Sequence, residues 1–189
     1  MDGLTARLAS RNANKARELE RLLPGWRIEP LEADDYPAED GTTYYENARG
    51  KALFARRRAE HAEWALGEDS GIEVTALEGG PGVKSARSGG DDPVDWLLGE
   101  LVGVEDRSAR YVSELVIISP AGEELLGTGT LDGRIADEPR GSEGFGFDPI
   151  FVPAGEARTV AELGNGWKRQ NSHRARAARA LLLALRETG

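Results

Sequence analysis

The stretch "EWALGEDSGIEVTAL", residues 63–77, decides how the chain is read. Two runs of strand-forming residues, "EWALG" and "IEVTAL", flank its centre. Between them stand Glu68 and Asp69, followed by Ser70-Gly71. Ser-Gly between two such runs predicts a turn, so one strand is expected to end at the acidic pair and another to begin at Ile72. An acidic pair at the end of a core strand fits a solvated turn. It also fits a pair of oxygen ligands for a hard cation.

Outward from this stretch, the chain alternates strand and helix. "LTARLAS" reads as a short strand, "RNAN" breaks it, and "KARELERLL" places Leu19, Leu22 and Leu23 at helical spacing. "YPAEDG" is an acidic loop, after which Thr43 and Glu46 form a capping-box pattern. The helix it opens is expected to continue through "NARGKALFARRRAEHAEW". "EGGPG" reads as a turn and "PVDWLLGEL" as a short helix. "SARYVSELVIIS" and "ELLGTGTLDGRIA" read as strands joined by a turn at Pro120–Gly122. "GSEGFGFDPIFVP" is glycine-rich, then apolar. From Ser172 onward an amphipathic helix carries Ala178, Leu181, Leu182 and Leu185 on one stripe. This order predicts an α/β or α+β fold with a sheet between helices.

The 189 residues suffice for one domain, or for two closely packed lobes. With 39% hydrophobic and 30% charged residues, a globular protein is expected. The net charge of −9 argues against a polymeric nucleic acid as partner, though a local pocket for a small anion remains open. No run approaches a membrane span and "MDGLTARLAS" has no signal-peptide core, so a cytoplasmic protein is expected. There is no cysteine and only two histidines, which excludes disulfides, thiolate zinc sites and multi-histidine centres. A metal here would be held by oxygens, which favours magnesium or manganese.

Four stretches have the residue types that chemistry needs. "SRNANK", residues 10–15, sits where a strand hands over to a helix, and helix starts suit phosphates. Read alone, it is also ordinary Asn-rich turn chemistry with a solvated lysine. In "GWKRQNSHR", Ser172 is a natural N-cap, yet His173 and Arg174 follow it and Lys168 and Arg169 precede it. Cations at a helix start oppose the macrodipole, so an anion, a carboxylate or solvent must answer them. In "GFGFDP", Phe145 or Phe147 could stack on a flat ring and Asp148 could accept from ring N–H groups; phenylalanines buried in the core are the plainer alternative. Finally, Glu39 and Asp40 in "AEDG" would add to Glu68 and Asp69 if the two stretches meet, and a divalent cation would relieve their repulsion.

Taken together, these stretches closely resemble the inosine triphosphate pyrophosphatases, the noncanonical purine nucleoside triphosphate pyrophosphatase or Ham1-like family. Its Ser/Thr-x-Asn-x-x-Lys opening matches Ser10, Asn12 and Lys15. Its acidic residue before Gly-x-Thr-x-x-Glu-Asn-Ala-x-x-Lys-Ala matches Glu39, Gly41, Thr43, Glu46, Asn47 and Lys51. Its acidic-Asp-Ser/Thr-Gly motif matches Glu68 through Gly71, and its Ser-Ala-Arg stretch matches "GGPGVKSAR" with one residue fewer before Pro81. Its Phe-Gly-aromatic-Asp-Pro matches Phe145, Gly146, Phe147, Asp148 and Pro149, and its Lys-x-x-x-Ser-His-Arg matches Lys168, Ser172, His173 and Arg174. The six motifs occur in family order. Arg11, Phe147, Trp167 and Asn171 depart from the family pattern, and segment 88–108 is short.

The resemblance implies a single domain over residues 1–189, an elongated mixed sheet flanked by helices, with two lobes around an active-site cleft (an ITPase-like, anticodon-binding-like architecture). It implies hydrolysis of ITP, dITP or XTP to the monophosphate and pyrophosphate, which keeps deaminated purines out of DNA and RNA. It implies magnesium, with manganese as the alternative, held by Glu39 and Asp69 with Glu68 as helper, and Asp69 as proton acceptor for water. The loop Ser10, Arg11, Asn12, Ala13, Asn14 and Lys15, together with Lys51 and Ser70, would hold the substrate. Phe145 would stack on the base within the Gly146–Phe147 loop. Asp148, Lys168, Ser172, His173 and Arg174 would surround its edge, donors there welcoming the 6-keto oxygen and opposing the 6-amino group of adenine. A homodimer is implied as well. A Maf-like pyrophosphatase ranks lower because its Ser-x-Ser-x-Arg-Arg-type opening is absent. A nucleotide sensor without hydrolysis would not need every carboxylate, and a purely structural protein would make six ordered motifs accidental.

Overall fold

The computed structural model describes residues 4–187. Six strands hydrogen-bond in the order β2-β1-β3-β4-β5-β6: β1 Leu4–Leu8, β2 Trp26–Pro30, β3 Trp64–Val74, β4 Ser108–Ile118, β5 Glu124–Ile135 and β6 Phe151–Pro153. β1 runs parallel to both β2 and β3, while β5 and β6 are antiparallel, so the sheet is mixed. The helices are α1 Ala13–Leu22, α2 Tyr44–Arg56, α3 Pro93–Glu100, α4 Val160–Asn171 and α5 His173–Glu187. The chain forms two compact units. The first is built from the described residues up to Asp69, from Ser113–Gly129 and from Arg174 onward; the second holds Ser70–Val112 and Thr130–His173.

No turn occurs at Ser70-Gly71: β3 runs unbroken from Trp64 to Val74, with the acidic pair inside it. A strand sends successive side chains to opposite faces. In the first unit, Leu66 enters a core with Leu19 of α1, Ile28 of β2, Leu115 and Ile117 of β4, and Ala177, Ala178 and Leu181 of α5. Ala65 enters a different core, formed by Ala48, Ala52, Phe54 and Ala55 of α2 with Val116 and Ile118. Glu68 therefore continues the face covered by α1 and α5, and Asp69 the face covered by α2. Each finds cationic partners on its own side, so neither carboxylate needs water, and the strand needs no turn to expose them.

Gly67 lies on the α2 side. A Cβ there would stand 1.9 Å from the carbonyl oxygen of Ala48, so the absent side chain lets α2 lie directly on the strand.

α2 begins as expected. Thr43 accepts from the Glu46 N–H at 3.1 Å and Glu46 accepts from the Thr43 N–H at 3.1 Å. It ends earlier than expected, at Arg56, because the Arg56 guanidinium folds back onto the carbonyls of Ala59, Glu60 and Glu63 and closes a turn.

In the second unit, Ile72, Val74, Leu97, Leu101, Tyr111, Leu131, Ile135, Phe147, Ile150, Phe151 and Val160 form one core. α4 belongs to this unit and is absent from the sequence reading. Its Thr159–Glu162 capping box is the same pattern that marks α2, but Gly164, at φ 84°, interrupts the helix and obscures its period. Among the described residues no helix is long and apolar enough to cross a membrane.

Candidate active site

On the α2 face of the first unit, three oxygens converge on one ammonium. Lys51 Nζ lies 2.8 Å from Asp69 Oδ1, 2.5 Å from Glu39 Oε1 and 3.1 Å from the carbonyl oxygen of Glu68. Asn47, one helical turn before Lys51, donates from Nδ2 to Asp69 Oδ2 at 3.2 Å. Its Oδ1 accepts from the Gly41 N–H at 2.9 Å. One amide thus ties the acidic loop to the strand carboxylate. Asn47 is a motif residue given no role by sequence, although its i, i+4 spacing from Lys51 already places both on one helix face. A pocket of about 310 Å³ opens here, lined among others by Glu39, Gly41, Asn47, Lys51 and Arg57.

Glu68 does not join this group. Its side chain is fully buried, with Lys15 Nζ 2.6 Å from Oε2 and Arg174 Nε 3.0 Å from Oε1. Arg174 also reaches Glu18 at 2.7 Å, and Ser113 Oγ lies 3.4 Å from Glu68 Oε1. Lys15 is therefore not a solvated lysine, and Arg174 has two of its nitrogens on carboxylates. For Arg174, the charge that answers a cation at a helix start comes from the protein itself. Glu18 and Ser113 are additions that no sequence motif announced; only the fold brings them to Glu68.

These surroundings push the two adjacent carboxyls apart. Burial raises the pKa of Asp69 by more than the nearby Lys51 lowers it. Burial also opposes ionisation of Glu68, but Lys15 and Arg174 together hold its carboxyl well below the usual range. Burial disfavours the Lys51 charge, yet Asp69 and Glu39 keep its pKa raised overall. The result is one permanent anion and one carboxyl whose basicity is lifted, side by side on a strand.

The "SRNANK" loop satisfies its own backbone. Ser10 Oγ accepts from the Asn12 N–H at 3.1 Å, and Asn12 caps α1 by accepting from the N–H groups of Asn14 and Lys15 at 2.9 and 3.3 Å. Ala13 is exposed, and the exposed Asn14 accepts from Arg17 at 2.6 Å. Arg11 donates to the carbonyl of Asp34 at 3.0 Å and lies over the Tyr36 ring.

The second unit brings Phe145, Asp148, Lys168 and His173 together. Asp148 Oδ2 accepts from Lys168 Nζ at 2.7 Å and from the Phe145 N–H at 2.9 Å. Lys168 Nζ also stands 4.0 Å from the centroid of the Phe145 ring. Gly146 takes φ 62°, which lets Phe147 turn into the core while Phe145 stays half-buried. Tyr111 is the residue missed here. Its ring stacks on His173 with centroids 4.4 Å apart at 14°, and its hydroxyl lies 3.4 Å from Asp148 Oδ1. Burial alternates only over the first four residues of β4, Ser108 to Tyr111, which turns Tyr111 inward but names no partner. Ser172, buried and extended, separates α4 from α5. Ser70 is half-buried within β3, at the start of the second unit's share of that strand.

Among the described residues, no three His, Asp or Glu side chains gather into a group that could cage a metal. Glu39 and Asp69 are nonetheless two hard oxygen donors within 2.8 Å of one cationic nitrogen. Such a pair fits an ion that takes its other ligands from phosphates and water, as magnesium does.

The chain is similar to known proteins over nearly its whole length. The Ham1 family profile matches residues 6–184. The dITP/XTP pyrophosphatase of Symbiobacterium thermophilum is 48% identical over 193 aligned positions, covering 96% of each chain. That of Deinococcus deserti is 44% identical over 184 positions, covering 94% of this chain and 87% of its own. The solved structure of the Staphylococcus aureus Ham1 protein superposes with a TM-score of 0.85 at 33% identity, covering 98% of this chain and 100% of its own. With a profile matched over nearly its whole length and relatives this similar, the chain belongs to the Ham1 family.

Proposed function

We propose that this protein is a dITP/XTP pyrophosphatase that hydrolyses ITP, dITP and XTP to the nucleoside monophosphate and pyrophosphate. Water adds to phosphorus, the anhydride bond between the α and β phosphates breaks, and pyrophosphate leaves. The observation that carries the reading is the split acidic pair on β3. Asp69, with its pKa raised by burial, has the basicity to take a proton from water, while Lys51 and Asn47 hold its two oxygens in place. Glu68 remains ionised between Lys15 and Arg174 and fixes both cations.

Glu39 and Asp69 are the residues proposed to hold magnesium or manganese. Bound there, the ion would screen phosphate charge and make its bound water more acidic. Lys51 and the residues of the Ser10–Lys15 loop are assigned to the triphosphate, and Ser70 to a further substrate contact. In the second unit, Phe145 is assigned to stacking on the base, with Lys168 and His173 as the donors that favour a 6-keto purine over adenine. Asp148 holds Lys168 and the Phe145 backbone in register for that task. Arg174 is assigned a supporting role through Glu68 in place of a direct contact with the base. The proposed assembly is a homodimer.

The test is purified protein with magnesium and ITP, XTP or ATP, with pyrophosphate measured. Release from ITP and XTP but little from ATP supports the proposal. Binding of ITP without product would identify a sensor and overturn it.

A further inference from the structure

Between β2 and α2, residues 31–43 have no regular secondary structure, yet they deliver Glu39 to Lys51. What holds that segment is a column of two rings between two guanidinium groups. The Arg11 guanidinium carbon lies 4.8 Å from the Tyr36 ring centroid. Tyr36 packs against Phe54 of α2, with centroids 5.3 Å apart at 31°. The Arg58 guanidinium carbon lies 3.8 Å from the centroid of Phe54, and Arg58 returns to the segment through Asp35 at 2.5 Å. Tyr36 also donates its hydroxyl to the carbonyl of Leu31, and Arg11 donates to that of Asp34. Leu31, Ala33 and Tyr36 together pack on the core that contains Phe54.

The segment is pinned again at Gly41, whose N–H reaches Asn47. Glu39 therefore sits on a short bridge, residues 37–40, between two clamps. One clamp is the Asn47 amide, which also touches Asp69. The other is the Tyr36 ring, and each of its ring contacts has a stabilising geometry of known type.

We propose that Tyr36 is a positioning residue for Glu39: clasped between Arg11 and Phe54, it sets where the bridge begins and so holds the Glu39 carboxylate beside Lys51 and Asp69. This rests on the proposed role of Glu39 in holding a divalent ion. It adds a residue that lies in no recognised motif. It also gives Arg11, which departs from the family pattern, a definite task in the folded chain.

The experiment compares Tyr36→Leu, which keeps apolar volume on Phe54 but loses the ring, with Tyr36→Phe, which keeps both ring contacts and loses only the hydroxyl. The first readout is amide hydrogen exchange of residues 38–41, without metal or nucleotide. In Tyr36→Leu these amides should exchange roughly tenfold faster, the scale of one ring pair plus one cation–π contact, while the amides of α2 stay protected. Tyr36→Phe should restore most of the protection. The second readout is the magnesium concentration for half-maximal pyrophosphate release, which should rise severalfold in Tyr36→Leu, with most of the kcat recovered at saturating magnesium. Unchanged exchange at 38–41 in Tyr36→Leu overturns the proposal. So does Tyr36→Phe behaving like Tyr36→Leu, and so does faster exchange with an unmoved magnesium requirement. Should Tyr36→Leu fail to fold, Arg58→Ala loosens the outer end of the same column and must give the same pattern at smaller amplitude. The exchange readout needs no turnover, so a wrong substrate assignment would leave it standing.

Discussion

Replacing Glu68 with glutamine separates two roles for the carboxylate by the sign of the effect. Glutamine keeps the shape and removes the charge from a site with no exposure, where Lys15 and Arg174 stand at 2.6 and 3.0 Å. Removing one partner of a buried ion pair costs about 3–5 kcal/mol, because the other charge stays buried and uncompensated. Two features soften the loss here. Arg174 keeps Glu18 at 2.7 Å, and the Lys15 side chain is 16% exposed, so water can reach it. The expected cost is therefore about 3 kcal/mol, at the lower end of that range. For a chain of this length it should lower the midpoint of thermal unfolding by roughly 6–12 °C.

Urea unfolding with metal chelated and nucleotide absent measures it directly. The pH dependence gives a second check. A carboxyl whose folded pKa is depressed stabilises fully above its unfolded value, near the ordinary 4.5, and loses that stabilisation as pH falls through the lower folded value. The gap between wild type and Glu68→Gln should then be constant from neutral pH down to about 4.5 and close below it. If Glu68 were instead a third metal carboxylate beside Glu39 and Asp69, deleting its charge in the metal-free protein would relieve repulsion and stabilise the fold. A variant as stable as wild type at neutral pH would refute the counter-ion assignment.

Asp69→Asn should reduce pyrophosphate release from ITP by at least about a hundredfold while ITP binding, followed calorimetrically, is largely retained; turnover near the wild-type rate would remove Asp69 as the base. In the metal-free wild type the Asp69 carboxyl should titrate above the ordinary aspartate value of 3.8, because burial raises it by more than Lys51 lowers it, so its charge is lost as pH drops through that raised pKa. Side-chain carboxyl chemical shifts followed against pH measure this, and a midpoint at or below 3.8 would contradict it. Lys168→Met leaves the buried Asp148 charge without its cation, though with the Phe145 N–H, so stability should fall by about 3 kcal/mol. If Lys168 also contacts the base, the kcat/KM preference for ITP over ATP should narrow about tenfold, whereas an unchanged ratio confines Lys168 to a structural task. Thr43→Ala removes the cap of α2 and should cost about 1 kcal/mol in urea unfolding, and a cost under about 0.3 kcal/mol would mean that the cap is redundant.

The sequence made most of this architecture legible because its signals are local. The capping box at Thr43, the spacing of Leu19 and the proline-to-glycine reversal at 120–122 each depend on a few neighbouring residues, and each has its counterpart in the structure. What escaped depends on distant contacts. β2 is five residues long, and its pairing with β1, not its own pattern, makes it a strand. The helix beginning at Tyr44 stops at Arg56 because a guanidinium finds three carbonyls downstream, which propensity does not encode. The same holds at the candidate site. Motifs named Lys15, Lys51, Glu39 and Asp69, but their pairings join separate elements that only the fold brings together. Tyr111 has no motif, and only the sheet sets it against His173 and Asp148.

The misread turn shows why local logic fails at this site in particular. A Ser-Gly step after two carboxylates is ordinary turn chemistry, because two adjacent charges normally need water. A strand offers a different solution. Its period of two sends the charges to opposite faces, where each meets cations from a different helix. That costs two buried charges, but it makes the carboxyls independent: α1 and α5 hold Glu68 ionised, while α2 leaves Asp69 with a raised pKa. A turn would have placed both in one solvent environment with nearly equal acidity, and neither would be tuned. The alternation that defeats the sequence reading is therefore what allows two neighbouring residues of similar chemistry to carry a structural charge and a basic one.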